Sequence, residues 1–79
     1  MLTITLYTKP SCGLCDEAKA ELETLAAEFP HHLTEMSILD DPQLFERYRH
    51  LIPVVIIGST RLVYPFSSLD LRAALKSNL

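Results

Sequence analysis

The only two cysteines of the chain, Cys12 and Cys15, lie where one hydrophobic pattern gives way to another. Before them, apolar and polar residues alternate over residues 2–7, which predicts a strand. After them, apolar residues recur every three or four positions, which predicts a helix over 13–29 that Pro30 ends. The apolar stripe of this helix comprises Leu14, Ala18, Leu22, Leu25 and Phe29. The cysteine pair therefore marks a strand-to-helix turn, and this constrains the fold more than any other feature.

The rest of the sequence predicts three more strands and two more helices. They are a strand over 32–39, a helix over 43–49 that begins at Asp40-Asp41-Pro42, strands over 53–57 and 60–64, and a helix over 68–77. The first βαβ unit implies parallel strands with a right-handed crossover, and Gly58-Ser59 predicts a hairpin. We therefore predict one α/β domain, residues 1–79, of order β-α-β-α-β-β-α. Its four-stranded mixed sheet has helices on both faces.

Composition and charge narrow the location and the partners. Net charge is −3, with few and unclustered basic residues, which argues against a nucleic-acid partner. The longest apolar run, residues 51–57, is short and contains Pro53, so no membrane span is expected. Residues 1–4 show no basic region and no cleavage site, so no signal peptide is expected. We expect a cytoplasmic monomer, and two cysteines in that reducing compartment favour redox work or metal binding.

The position of each cysteine predicts its chemistry. Cys12 precedes the helix, where the partial positive charge of the helix end favours a thiolate, and Lys9 lies three residues upstream. Cys15 lies beside the apolar stripe, so we expect it to be the more buried thiol. These features suit thiol–disulfide exchange, in which Cys12 attacks and Cys15 resolves the mixed disulfide. We expect a lowered pKa for Cys12, with Asp16 and Glu17 opposing the shift. Lys9 is a candidate to hold an anionic group of the substrate.

Two other readings of the cysteine pair are weaker. Small buried cysteines occur in many cores, but the spacing of Cys12 and Cys15 at a strand-to-helix turn argues against a role in packing alone. A zinc site would need further ligands, and His31-His32 are the nearest histidines downstream. Neighbouring residues in a strand point to opposite faces, so these two are poorly placed to share one ion. We therefore predict no metal site.

Two segments resemble the glutaredoxin family. Residues 7–15, Tyr-Thr-Lys-Pro-Ser-Cys-Gly-Leu-Cys, are similar to the glutaredoxin active-site segment. Residues 52–56, Ile-Pro-Val-Val-Ile, are similar to the proline-led strand of that family. The resemblance covers essentially the whole chain and implies a thioredoxin-like fold. It also implies that Cys12 is the nucleophile, that Cys15 is the resolving thiol and that Pro53 is a cis-proline facing them. Ile52 would then offer its backbone to a substrate.

The chain also departs from the usual glutaredoxin pattern. Gly13-Leu14 stands between the cysteines in place of a Pro-aromatic pair. Residues 64–66, Tyr-Pro-Phe, stand where a Gly-Gly pair is usual, and Pro65 lacks the flexibility and the N–H of glycine. Ser67-Ser68 replace an acid that helps to bind glutathione. We therefore expect no bound cofactor and leave glutathione open as a partner. Ser67 is read as the helix N-cap with Asp70 as its partner, and alternatively as a site for a substrate carboxylate.

The expected function is a dithiol thiol–disulfide oxidoreductase that reduces protein or small-molecule disulfides. Glutathione or a reductase protein would supply the electrons. Residues 12–19 resemble small glutaredoxin-like proteins of unassigned function, and residues 53–58 resemble a redoxin that donates electrons to ribonucleotide reductase. The alternatives are this donor role, a dimer-bridging iron–sulfur module with Cys12 and glutathione as ligands, and a redox-inert adaptor that binds through residues 64–66.

Overall fold

The computed structural model describes residues 2–79, and Met1 lies outside the described residues. Four strands and three α-helices follow one another in the predicted order. They are β1 (Leu2–Thr8), α1 (Gly13–Leu25), β2 (His31–Ser37), α2 (Pro42–Tyr48), β3 (Val54–Ile57), β4 (Thr60–Val63) and α3 (Ser68–Ser77). A single 3₁₀ turn, Ile38–Asp40, links β2 to α2. The type and order of every predicted helix and strand are confirmed.

The sheet is mixed, with the strand order β2-β1-β3-β4. β1 and β2 run parallel, with Ile4 opposite Leu33. β3 is antiparallel to β1, and β4 returns antiparallel to β3 through the turn at Gly58 and Ser59. The predicted βαβ unit and C-terminal hairpin are therefore both present, and they meet where β1 pairs with β3.

Helices cover both faces of this sheet, as predicted. Strand residues alternate between the faces, so Ile4 and Leu6 point to one side and Tyr7 to the other. On the first side, α1 and α3 pack on the sheet. Its buried residues are Ile4, Leu6, Ala18, Leu22, Leu25, Phe29, Val55, Ile57, Leu71, Ala74 and Leu75. On the second side, α2 packs with the 3₁₀ turn, and the rings of Tyr7 and Tyr48 stack with their centroids 4.9 Å apart.

The course of α1 differs from the prediction at both ends. The helix ends at Leu25, because the N–H groups of Glu28 and Phe29 both bond to the Leu25 carbonyl and tighten the chain into a turn. Leu14, expected in the buried stripe, is 42% exposed, whereas Cys15 is 1% exposed. The buried stripe runs through Cys15, Ala18, Leu22, Leu25 and Phe29. Its spacing alternates between three and four, so Cys15 continues the line and Leu14 falls beside it.

The second strand is also shorter than predicted at its end. It stops at Ser37, where residues 32–39 were predicted to be extended. The hydroxyl of Ser37 accepts a hydrogen bond from the N–H of Leu39 at 3.2 Å, which begins the 3₁₀ turn. A serine side chain that bonds to the backbone two residues on competes with strand pairing. The alternating pattern of residues 33–38 therefore continues past the last residue of the strand.

Two ion pairs hold α1 and the turn that follows it to their neighbours. The guanidinium of Arg72 on α3 lies 2.6 Å from the carboxylate of Glu28 and 5.5 Å from the ring centre of Phe29. Lys19 on α1 lies 3.1 Å from Glu35 on β2. The hydrogen bond to Glu35 and its negative charge raise the pKa of Lys19, which keeps the ammonium charged. The Lys19 pair therefore joins α1 to the sheet, and the Arg72 contacts join the turn after α1 to α3.

Candidate active site

The two cysteines form a disulfide at the start of α1, with their Cα atoms 5.2 Å apart. Cys12 is the N-cap residue of the helix and has an extended backbone, with φ −107° and ψ 102°. It is partly exposed, whereas Cys15 is buried under the first helical turn. The predicted difference in exposure between the two cysteines is therefore present.

The sulfur of Cys12 occupies the position of an N-cap acceptor. It accepts a hydrogen bond from the backbone N–H of Cys15 at 3.2 Å. The Cys12 carbonyl accepts the first helical bond, from the N–H of Asp16 at 3.0 Å. An anion at this position gains both from the hydrogen bond and from the positive end of the helix. The more exposed of the two cysteines is thus also the one whose sulfur accepts a hydrogen bond from the backbone.

The turn into α1 depends on an unusual backbone conformation. Ser11 has φ +59°, and it is the one residue other than glycine with a positive φ among residues 2–79. The left-handed region disfavours side chains with a Cβ atom. This conformation immediately precedes Cys12, so it takes part in placing the sulfur at the helix end.

Pro53 immediately precedes β3 and is fully buried. The Ile52–Pro53 peptide bond is cis, as the family resemblance implies, and the Tyr64–Pro65 bond is also cis. The Pro53 carbonyl accepts a hydrogen bond from the N–H of Tyr64 at 3.2 Å, which joins β3 to the segment before α3. The N–H of Ile52 bonds to the carbonyl of Tyr48 at 3.2 Å, so that donor is already used within the chain.

A groove of about 270 Å³ lies between α1 and α3, with Pro53 among its lining residues. On the α1 side it is lined by Leu14, Glu17 and Glu21, among others. The spacing of three and four residues sets these side chains on one face of the helix. Sequence reasoning missed this groove, although the spacing of residues 14, 17 and 21 was a signal that α1 has a second, exposed face.

The other wall of the groove comes from the segment between β4 and α3 and from α3 itself. Tyr64 and Phe66 line it, and their rings meet edge to face at a centroid distance of 6.2 Å. Of the residues predicted from sequence to bind a substrate, Pro53 and Ser67 line the groove. Lys9 is exposed elsewhere on the surface, and Ile52 is half-buried outside the groove.

Ser67 forms a complete capping box at the start of α3. Its hydroxyl oxygen accepts a hydrogen bond from the N–H of Asp70 at 3.2 Å, and the Asp70 carboxylate accepts one from the N–H of Ser67 at 2.8 Å. The predicted cap is therefore confirmed, with Asp70 as a full partner. The hydroxyl hydrogen of Ser67 is still a donor that can reach into the groove.

Residues 2–79 contain no cluster of three or more histidine, cysteine, aspartate or glutamate side chains arranged to hold a metal ion. None of the helices among them has both the length and the apolar character that crossing a membrane requires.

The chain is similar to a known protein family and to several solved structures. Residues 3–76 match the family model of the glutaredoxin-like domain (DUF836). The chain is similar to the structural genomics target protein XcR50 from X. campestris, with 33% identity over 94% of this chain and 96% of that chain and a TM-score of 0.76. Protein Ne2328 from Nitrosomonas europaea is 24% identical, over 91% of this chain and 88% of that chain, with a TM-score of 0.78. Thioredoxin 1 from Thermosipho africanus is 17% identical, over 95% and 91% of the two chains, with a TM-score of 0.74. The fold is thus α/β and thioredoxin-like.

Proposed function

Because the chain belongs to the glutaredoxin-like domain family, we propose that it is a dithiol oxidoreductase that reduces disulfides of proteins or small molecules. The observation that carries the proposal is the hydrogen bond from the Cys15 N–H to the Cys12 sulfur. It combines with the partial exposure of Cys12 and the burial of Cys15 one helical turn behind it. An accessible, stabilised thiolate with a resolving thiol at bonding distance is what disulfide exchange requires.

The reaction proceeds in two exchanges. The thiolate of Cys12 attacks one sulfur of the substrate disulfide and forms a mixed disulfide, while the other substrate sulfur leaves as a thiolate and takes a proton from water. Cys15 then loses its proton to water, and its sulfur attacks the Cys12 sulfur. This closes the Cys12–Cys15 disulfide and releases the second substrate thiolate. Two electrons have passed to the substrate, and a thiol or dithiol reductant restores the cysteine pair.

The buried position of Cys15 favours this division of roles. A substrate disulfide can approach Cys12, which is partly exposed, but it cannot approach Cys15, which is buried. The N–H of Ile52 already bonds to Tyr48, so only the carbonyl of Ile52 would be left to pair with an extended substrate chain. Lys9, exposed three residues before Cys12, would attract an anionic group of a substrate or a reductant.

The electron source is proposed at the level of chemical class. Either glutathione or a reductase protein in the cytoplasm would regenerate the dithiol. The reaction uses the cysteine sulfurs alone, and no cofactor enters the steps above.

The proposal is tested by the reduction of insulin or of a small mixed disulfide, with dithiothreitol as the reductant. Wild type should accelerate the reaction, and Cys12→Ser should reduce the rate to that of dithiothreitol alone. Cys15→Ser is the matched control, because it keeps the nucleophile. Mixed with the substrate in the absence of dithiothreitol, it should accumulate a mixed disulfide that mass spectrometry detects. Equal rates for wild type and Cys12→Ser would overturn the assignment.

A further inference from the structure

The charged side chains that line the groove between α1 and α3 are all carboxylates. Glu17 and Glu21 are one helical turn apart on α1, and both line it. The ion pairs found within residues 2–79 are Lys19–Glu35 and Arg72–Glu28, so neither groove carboxylate is paired there. Among those residues, no lysine, arginine or histidine lines the groove. The groove therefore presents uncompensated negative charge to whatever enters it.

The rest of the groove is largely apolar and partly open to solvent. Leu14 and Tyr64 are each 42% exposed, and Phe66 packs partly against the core below. Large exposed apolar side chains that border a concave surface are typical of a contact site for another molecule. Leu14 stands between the two cysteines in the chain, so this lining residue joins the groove to the segment that holds both of them.

We propose that the groove is a substrate-docking surface for polypeptide segments in which the disulfide-bonded cysteine is flanked by an apolar and a basic residue. The apolar side chain contacts Leu14 and Tyr64, and the lysine or arginine faces Glu17 and Glu21. This inference rests on the proposed exchange reaction and names its substrate class. It also sets a direction of selection, because the same two carboxylates repel an anionic peptide such as glutathione.

Charge complementarity decides between the occupants of the groove. An acidic segment would place like charges beside Glu17 and Glu21, and an uncharged apolar segment would leave both carboxylates facing an apolar surface. A basic segment pairs with both of them while its apolar neighbour covers the exposed rings. The selection acts on the first exchange, since it raises the concentration of cationic disulfides beside Cys12.

The test compares two capped peptide disulfides that are identical except for one residue beside cysteine, lysine in one and glutamate in the other. For wild type at low salt, kcat/KM should be roughly three- to tenfold higher for the lysine peptide, which is the scale of two exposed charge pairs. Added salt should shrink this ratio, because exposed charges are screened. The double variant Glu17→Gln/Glu21→Gln should bring the ratio close to one.

The matched control is Glu23→Gln/Glu46→Gln, which removes the same charge from exposed positions outside the groove. It should keep the wild-type ratio. A ratio near one in wild type, or equal losses in the two double variants, overturns the docking proposal. Reduction of 2-hydroxyethyl disulfide by wild type, but not by Cys12→Ser, shows in that case that the exchange activity stands without it.

A binding measurement separates docking from chemistry. The two peptides are made again with serine in place of cysteine and titrated into labelled protein, with amide chemical shifts as the readout. The lysine peptide should shift the amides of Glu17, Glu21 and Tyr64 and the glutamate peptide should not. Equal or absent shifts for both peptides overturn the inference, whatever the exchange assay shows.

Discussion

The backbone N–H of Cys15 donates a hydrogen bond to the sulfur of Cys12 across 3.2 Å. One atom thereby serves two purposes: it caps α1, and it is the proposed nucleophile. The cap bond is stronger when its acceptor is charged, because hydrogen bonds to ionised groups exceed neutral ones. The helix start and the thiolate therefore stabilise each other.

We predict that the pKa of Cys12 in the reduced protein lies below about 8.5, the value of a free thiol. The measurement is the rate of alkylation by iodoacetamide against pH in Cys15→Ser, where Cys12 is the single thiol. A midpoint at or above the free-thiol value would contradict the role of the helix end. Asp16→Asn tests the direction of the electrostatic effect on the pKa of Cys12. It removes a negative charge from the first turn, so it should lower the midpoint further.

Much of the fold was predictable because local patterns and tertiary packing agree. The order of the elements follows from local signals. These are the alternating pattern of strands, the spacing of three and four residues in helices, the prolines at positions 42 and 53, and the Gly-Ser turn. The burial of Cys15 followed from its place beside an apolar stripe, and the structure makes it a member of that stripe. The capping box at Ser67 and Asp70 was readable because both partners lie within four residues of each other.

The groove was not predictable, since it depends on how α3 lies against α1. Tyr64 and Phe66 are some fifty residues from Glu17 in the sequence, and no periodicity relates them. The roles of Lys9 and Ile52 in binding a substrate stay predictions. The structure leaves them outside the groove that contains Pro53 and Ser67.

The second prediction concerns the two glycines, which provide a matched pair. Gly58 has φ +57°, and a Cβ atom there would overlap the side chain of Asn78. Gly58→Ala should therefore lower the free energy of unfolding by about 1–3 kcal/mol. Gly13 begins α1 with open space around its Cα, so Gly13→Ala should raise it by about 0.4–1 kcal/mol. Urea unfolding of the oxidised proteins measures both.

The contact with Asn78 gives this prediction an internal control. The Asn78 side chain bonds to the N–H of Ser59, the hydroxyl of Thr60 and the carbonyl of Ala74, which ties the hairpin to α3. In an Asn78→Ala background, Gly58→Ala should cost less than in wild type, since only the backbone strain is left. Equal costs in both backgrounds would show that the overlap is relieved at no expense.

A third prediction follows from the left-handed conformation of Ser11. Ser11→Gly should stabilise the protein by up to about 1 kcal/mol. Glycine removes the cost of the left-handed conformation, about 1–2 kcal/mol, but it also raises the conformational entropy of the unfolded chain, which offsets part of the gain. Ala20→Gly, at an exposed position inside α1, is the control and should destabilise by about 0.5–1 kcal/mol. Thermal unfolding of both variants gives the sign. Destabilisation by Ser11→Gly would mean that its side chain makes a favourable contact that outweighs the strain.

The last prediction decides how much of the role of Ser67 is structural. Its hydroxyl and the Asp70 carboxylate each satisfy a backbone N–H at the start of α3. Ser67→Ala should lower the free energy of unfolding by about 1 kcal/mol, whereas Ser67→Asn should keep it near wild type, because asparagine caps as well as serine. Ser68→Ala lies one residue further on, inside the helix, and should change stability little. A double-mutant cycle with Asp70→Ala should give less than additive losses, because the two side chains form one reciprocal cap. Additive losses would mean that the two hydrogen bonds act independently of each other.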